Sequence, residues 1–135
     1  MKFQVIYFSK KGNTKKLAEV IASELNVVAK DVKDVKLNED TFVLLGSGYY
    51  GGKPAKIITK FIEDNTFKSR KVALFGTSGG GEKIEVKEME NMIKIKGAYL
   101  KGKFFCKGKI FLINCGRPND ANFYEAEKFA NHIIK

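Results

Sequence analysis

Histidine occurs once in these 135 residues and cysteine twice, with Cys106 and Cys115 not at CxxC spacing. A zinc site therefore has too few soft ligands, and the two thiols read as reduced and separate. Arginine is almost missing as well: Arg70 and Arg117 are the only two, although the formal net charge is +10. The positive excess is lysine, a point charge without the bidentate fork that grips phosphates and base edges, which argues against specific nucleic-acid binding. No apolar run approaches the roughly 18 to 20 residues that span a bilayer, and "MKFQVIYFSKK" holds too short an apolar stretch for a secretory signal. The expected location is the cytoplasm. Repeats, low-complexity tracts and linkers are also lacking, so residues 1–135 read as one domain.

What is present suits a folded chain with one sizeable core: 44% of residues are hydrophobic and 30% charged. The charge balance points to anionic partners such as acidic proteins, nucleotides or nucleic acid. Many of the lysines nonetheless interleave with glutamates along helical stretches, where a solvated surface accounts for them.

The chain alternates between two periodicities. Apolar runs at Phe3 to Phe8, Phe42 to Gly46, Val72 to Gly76 and Phe104 to Cys106 have strand character, and Val27 to Val32 is a weaker candidate. Nearly unbroken apolar strands are buried on both faces, as in a parallel sheet. Between them, helical spacing appears in Leu17, Val20, Ile21 and Leu25, then in Ile57, Ile58, Phe61 and Ile62, and again in Val86, Met89, Met92 and Ile93. A last helix carries Phe123, Ala126, Ala130 and Ile133. Pro54 suits a first helical turn, Gly97 the residue just past a helix end, and Asp120 a cap for the final helix. Between Asp31 and Thr41 the pattern allows a helical turn or two at most. Strand-helix alternation of this kind implies a doubly wound parallel sheet, which binds ligands beyond the carboxyl ends of its strands.

Three of the strands end in small-residue loops, "SKKGNT", "GSGYYGGK" and "GTSGGGE", which places all three loops on one edge of the sheet. At the first, a helix beginning near Thr14 presents unpaired backbone N–H groups and a partial positive charge. Lys15 and Lys16 have the wrong sign for that position, and no acid precedes Glu19 to offset the dipole. A bound phosphate would supply the negative charge; alternatively, Thr14 is a simple N-cap beside exposed lysines. Nucleotide hydrolysis is disfavoured because GxxxxGK[ST] spacing is absent and no acid stands ready for magnesium. The dinucleotide pattern GxGxxG after the first strand is absent, and neither cysteine has an arginine six residues on, as a phosphatase-like cradle would need.

"VIYFSKKGNTKKLAEVIA" resembles the flavodoxin opening, a strand followed by [ST]-x-x-G-N-T and an apolar-faced helix, whose loop holds the phosphate of FMN. "FVLLGSGYYGGK" and "VALFGTSGGGE" resemble the two loops that contact the flavin ring, and the likeness runs in order from about residue 2 to 97. The resemblance implies an α/β fold with a doubly wound five-stranded parallel sheet in the order 2-1-3-4-5. It implies a phosphate site at Ser9, Lys10, Lys11, Gly12, Asn13 and Thr14. It further implies ring contacts from Ser47, Gly48, Tyr49, Tyr50, Gly51 and Gly52 on one side and from Thr77, Ser78, Gly79, Gly80 and Gly81 on the other. Tyr50 falls where the family stacks a side chain on the flavin, and the Gly51–Gly52 peptide falls where the family's backbone flips as the flavin gains a proton.

The departures from the family pattern shape the functional expectation. Gly80 falls where a small flavodoxin can present its outer aromatic ring, so one flavin face is expected to be bare. Flavodoxins are usually acidic and this chain is basic, which turns the expected redox partners toward acidic proteins. Cys106, beside Lys107 and Lys109, reads as a buried, inert thiol. The run "KIFLINCGRPN" is too apolar for an ordinary surface loop; it reads as part of a split last strand, a hairpin over an edge or a dimer contact. His132 sits in a last helical turn, where a cation is favourable, and receives no catalytic role. The expected function is electron transfer by bound FMN. Two alternatives stand beside it: a small FMN-dependent NAD(P)H or quinone reductase, and a flavin-free domain that binds an anion or an acidic protein.

Overall fold

The structure is a computed structural model and describes residues 2–50, 53–78, 87–107 and 119–134. Its elements in chain order are β1 (Lys2–Phe8), α1 (Asn13–Glu24), β2 (Lys30–Asp31), a 3-10 turn (Val32–Asp34), β3 (Thr41–Tyr50), β4 (Lys53–Pro54), α2 (Lys56–Asp64), β5 (Lys71–Ser78), α3 (Lys87–Ile95), β6 (Tyr99–Lys107) and α4 (Asp120–Ile134). Five strands pair in parallel in the order β2-β1-β3-β5-β6, while β4 pairs antiparallel with β3. With the small β4 left out of the count, this is the expected 2-1-3-4-5 topology.

Alternation along the central strands feeds two cores at once, which is why these runs are apolar almost throughout. Val5, Phe42, Leu44, Ala73 and Phe75 face α1 and α4 in one cluster. Their neighbours Ile6, Val43, Leu45, Val72 and Leu74 face the other way, toward Ile58, Ile62, Met89 and Ile93 of α2 and α3.

The helix ends follow local chemistry. Asn26 at φ 57° and Gly97 at φ 86° sit just beyond α1 and α3. Val27 N–H donates to the Ala22 carbonyl and Ala98 N–H to the Ile93 carbonyl, both at 3.0 Å, the bond that closes a Schellman motif. The expected role of Gly97 is thus met. Asp120 is not the cap of α4, because it lies inside the first turn. Asn119 takes that place: its Oδ1 accepts from Asn122 N–H at 3.1 Å, and Asn122 Oδ1 accepts from Asn119 N–H at 3.0 Å. This is a capping box built from two asparagines.

Three further expectations need correction. Pro54 lies in β4, paired with Tyr49, and α2 begins after Ala55 instead. Tyr50 and Lys53 pair with each other as Tyr49 and Pro54 do, so Pro54 belongs to a short strand and does not open the helix. The last strand begins at Tyr99, five residues earlier than its apolar run. Among the described residues it is an edge of the sheet, and it carries the exposed lysines Lys101 and Lys103 and a register shift opposite Val72 and Ala73, devices that protect an edge from pairing with other chains. Glu90 of α3 reaches both Lys94 and Lys103 at 3.2 Å and so ties helix to strand. The second strand shrinks from Val27–Val32 to Lys30–Asp31, with Val28 71% exposed. The connection that follows holds the single 3-10 turn, within the turn or two expected.

The amino-terminal edge of the sheet is closed by side chains. Arg70 Nη1 donates to the carbonyls of Asn38 and Thr41 and to Thr41 Oγ1 at 2.9–3.0 Å, while the Thr41 hydroxyl donates to Gln4 Oε1 at 2.8 Å. Burial lowers the Arg70 pKa, and Asp40 and Glu39 oppose that shift. The opposite, carboxyl-terminal edge is left for loops.

Candidate functional site

Chain direction locates the site. After β1 the chain moves outward to β2 and then returns to β3 on the other side of β1, so the strand order reverses between β1 and β3. A crevice at such a reversal, beyond the carboxyl ends of the strands, is where open α/β sheets bind ligands. The register holds the three strand ends level: Phe8 lies beside Ser47, and Gly48 beside Thr77.

The first loop is shaped by its own residues. Gly12 is the N-cap of α1 at φ 90° and ψ −4°, and Ser9 Oγ accepts its N–H at 3.0 Å. A Cβ built on Gly12 would meet no atom within 4 Å, so the backbone conformation and not crowding requires glycine. No side chain caps α1 and no acid stands in its first turn, while Lys10, Lys11, Lys15 and Lys16 are exposed around it. Such a helix start favours an anion. Asn13 opens the helix, half-buried, so the helix starts one residue before the sequence suggested and Thr14 is not its cap.

Thr14 is instead turned inward. It is 1% exposed, and its hydroxyl shares a 3.0 Å hydrogen bond with that of Thr77 at the end of β5. This bond couples the first loop to the third across 63 residues of sequence, a link that neither motif announces alone. Thr14→Val should destabilise the FMN-free protein by about 1–2 kcal/mol by leaving the Thr77 hydroxyl buried and unpaired. The double change Thr14→Val/Thr77→Val should cost less than the sum of the singles in urea denaturation. Strict additivity would show that the two hydroxyls do not interact.

Ser47 is fully buried and organises its loop from within. Its hydroxyl donates to the Gly48 carbonyl at 2.7 Å and accepts from Ala55 N–H at 3.0 Å, fixing the start of α2 against the end of β3. Gly48 is buried beside it. Tyr49 and Tyr50 form the last residues of β3, and Ser78 ends β5, by their backbones. The expectations for Gly51, Gly52, Gly79, Gly80 and Gly81, for Cys115 and for the segment from Lys109 to Pro118 lie outside the described residues. Cys106 is 7% exposed, within the α1/α4 core. Tyr7, just before the first loop, has its pKa raised by burial, with Asp31, Glu19 and Asp34 adding to the effect, so its hydroxyl stays neutral. Among the described residues no cluster of three or more His, Cys, Asp or Glu could hold a metal ion, and no helix is long and apolar enough to cross a membrane.

A doubly wound sheet whose first loop favours an anion, with the ends of β3 and β5 level beside it, is a frame on which open α/β folds hold anionic ligands. The family described as Flavodoxin domain matches residues 4–112. An uncharacterized protein of Methanocaldococcus jannaschii is 34% identical over 150 residues, covering 100% of this chain and 99% of its own. The flavodoxin-like domain-containing protein BilS of Clostridioides difficile is 34% identical over 122 residues, 82% of this chain and 68% of its own. Among solved structures, a flavodoxin from the domain Archaea superposes with a TM-score of 0.77 at 23% identity, covering 98% of this chain and 96% of that one. The chain belongs to the flavodoxin domain family.

Proposed function

We propose that residues 1–135 form a single FMN-binding domain that carries one or two electrons between partner proteins. The observation that supports this most is the coupled pair of loops, with the left-handed Gly12 turn held by Ser9 and tied to β5 through Thr14 and Thr77. The donor set fits the group: backbone N–H groups of the α1 start, with Lys10 and Lys11 nearby, suit the phosphate. In this reading Ser9, Gly12, Asn13 and Thr14 surround the phosphate, and Gly48 to Gly52 border one side of the ring. Thr77, Ser78 and Gly79 to Gly81 border the other, while Ser47 positions its loop from beneath. Bound FMN supplies the redox chemistry, and the protein supplies binding, orientation and electrostatics. No residue is assigned a catalytic role, and the proposed location is the cytoplasm.

A visible absorption spectrum, taken before and after FMN is added and the excess removed, tests the reading. A retained flavin spectrum is expected. A folded protein that stays colourless would end it.

The loop charge predicts the redox tuning. Neither "SKKGNT" nor "GSGYYGGKPAK" contains a carboxylate, and together they carry four lysines. Nearby cations favour an anionic reduced flavin, by the logic of a pKa shift. Each ~1.4 kcal/mol of that preference raises a one-electron potential by about 59 mV. Potentiometric titration of the holoprotein should place the lower of its two potentials above that of acidic flavodoxins by tens of millivolts. An equally low value would show that the lysines are fully screened.

A further inference from the structure

Resting on the electron-carrier reading, we infer that a lysine-rimmed apolar cleft beside the end of β1 is where an acidic partner protein docks. The cleft has a volume of about 400 Å³ and is walled by Phe8, Pro54 and Ile57. The exposed Lys10, Lys53 and Lys56 stand around it, and every charged residue of its lining is a lysine. A fourth lysine backs it: Lys33 Nζ of the 3-10 turn lies 5.3 Å from the centroid of the Phe8 ring. The nearest opposing charges in that turn are Asp31, whose carboxylate accepts the Lys33 N–H at 2.9 Å, and Asp34.

An apolar centre with a charged rim is the anatomy of a protein interface. The sign of the rim selects the partner. Lysines on flexible stems draw in an acidic surface over a distance and hold it without a fixed bidentate geometry, which suits a complex that must form and part quickly. Position gives the cleft its use: its walls come from the end of β1 and from the segment that follows β3, the two strands that flank the strand-order reversal. A partner seated there lies beside the proposed cofactor.

The test uses the full chain, labelled with ¹⁵N and supplied with FMN, and an acidic plant-type ferredoxin as the probe at low ionic strength. Amide shift changes should centre on Phe8 and on Lys53 to Ile57. Lys53→Glu/Lys56→Glu should weaken the complex at least tenfold and flatten its salt dependence. Lys68→Glu/Lys71→Glu, an equal charge change at the opposite sheet edge, should weaken it less than threefold. Shift changes elsewhere, equal weakening by both pairs, no binding, or the same shifts from free glutamate would each overturn the inference. The flavin spectrum of the same samples reports separately on the cofactor, so a colourless protein with the expected shift map would sink the electron-carrier reading and leave the docking surface standing.

Discussion

Gly76→Ala is expected to destabilise the protein by about 3 kcal/mol, at the upper end of what one added methyl does in a packed interior. The position lies on β5 beside Ser47 of β3, in the centre of the parallel sheet. A Cβ there would overlap the Ser47 carbonyl oxygen and stand 2.7 Å from the Phe105 ring. A ring can turn aside, but a carbonyl in a paired strand cannot, so relief requires β3 and β5 to separate. That separation would spread to the next pair, Gly48 and Thr77, and with it to the Thr14–Thr77 bond. Retention of FMN should therefore fall along with stability. Gly97→Ala provides the contrast, because its Cβ would come no closer than 3.5 Å to Lys68 and only the φ of 86° opposes it. Roughly 1 kcal/mol is expected there. Urea denaturation of both variants checks the ordering, and a Gly76→Ala protein as stable as wild type would mean that the strands yield easily.

That clash also shows where sequence reading stops. The central strands were legible because burial on both faces writes a continuous apolar run, and the four helices because one face writes a helical stripe. The edge strand was half hidden, since Lys101 and Lys103 are the residues an exposed edge uses and they erase the apolar signal. The α4 cap was misplaced by one residue because asparagine and aspartate are both good caps, and only the reciprocal bonds of Asn119 and Asn122 distinguish them. Loop positions could be named from the motif "SKKGNT" and its companions, but the division of labour within them could not. Ser47 and Thr77 look alike as small hydroxyl residues after a strand. In the fold, the first bonds the backbone of its own loop and the second bonds a helix that begins 64 residues earlier in the chain. The cleft at Phe8 was not legible at all, because Lys10 stands more than forty residues before Lys53 and Lys56 and meets them only in the fold.

The second large effect is expected at Gly12, where the strain is purely conformational. A valine there adds a side chain that touches nothing within 4 Å at its Cβ, yet it must adopt φ 90°, a region closed to β-branched residues. Holding such a residue there costs roughly 1–3 kcal/mol. Without ligand the short loop can relax by turning the Gly12 peptide, so the loss of folding stability should be the smaller part of the effect. Binding a phosphate requires the N–H groups of the α1 start to converge again, and the strain then returns in full. The dissociation constant for FMN should accordingly rise about 5- to 150-fold, at 1.4 kcal/mol per factor of ten. Gly12→Asn should lose much less, because asparagine tolerates the left-handed region. Fluorescence titration of the FMN-free variants, ordered glycine, asparagine, alanine and valine, gives the result directly. Equal affinity across that series would mean that the flavin phosphate does not sit on this turn, and the site would have to be sought on the edge between β3 and β5 instead.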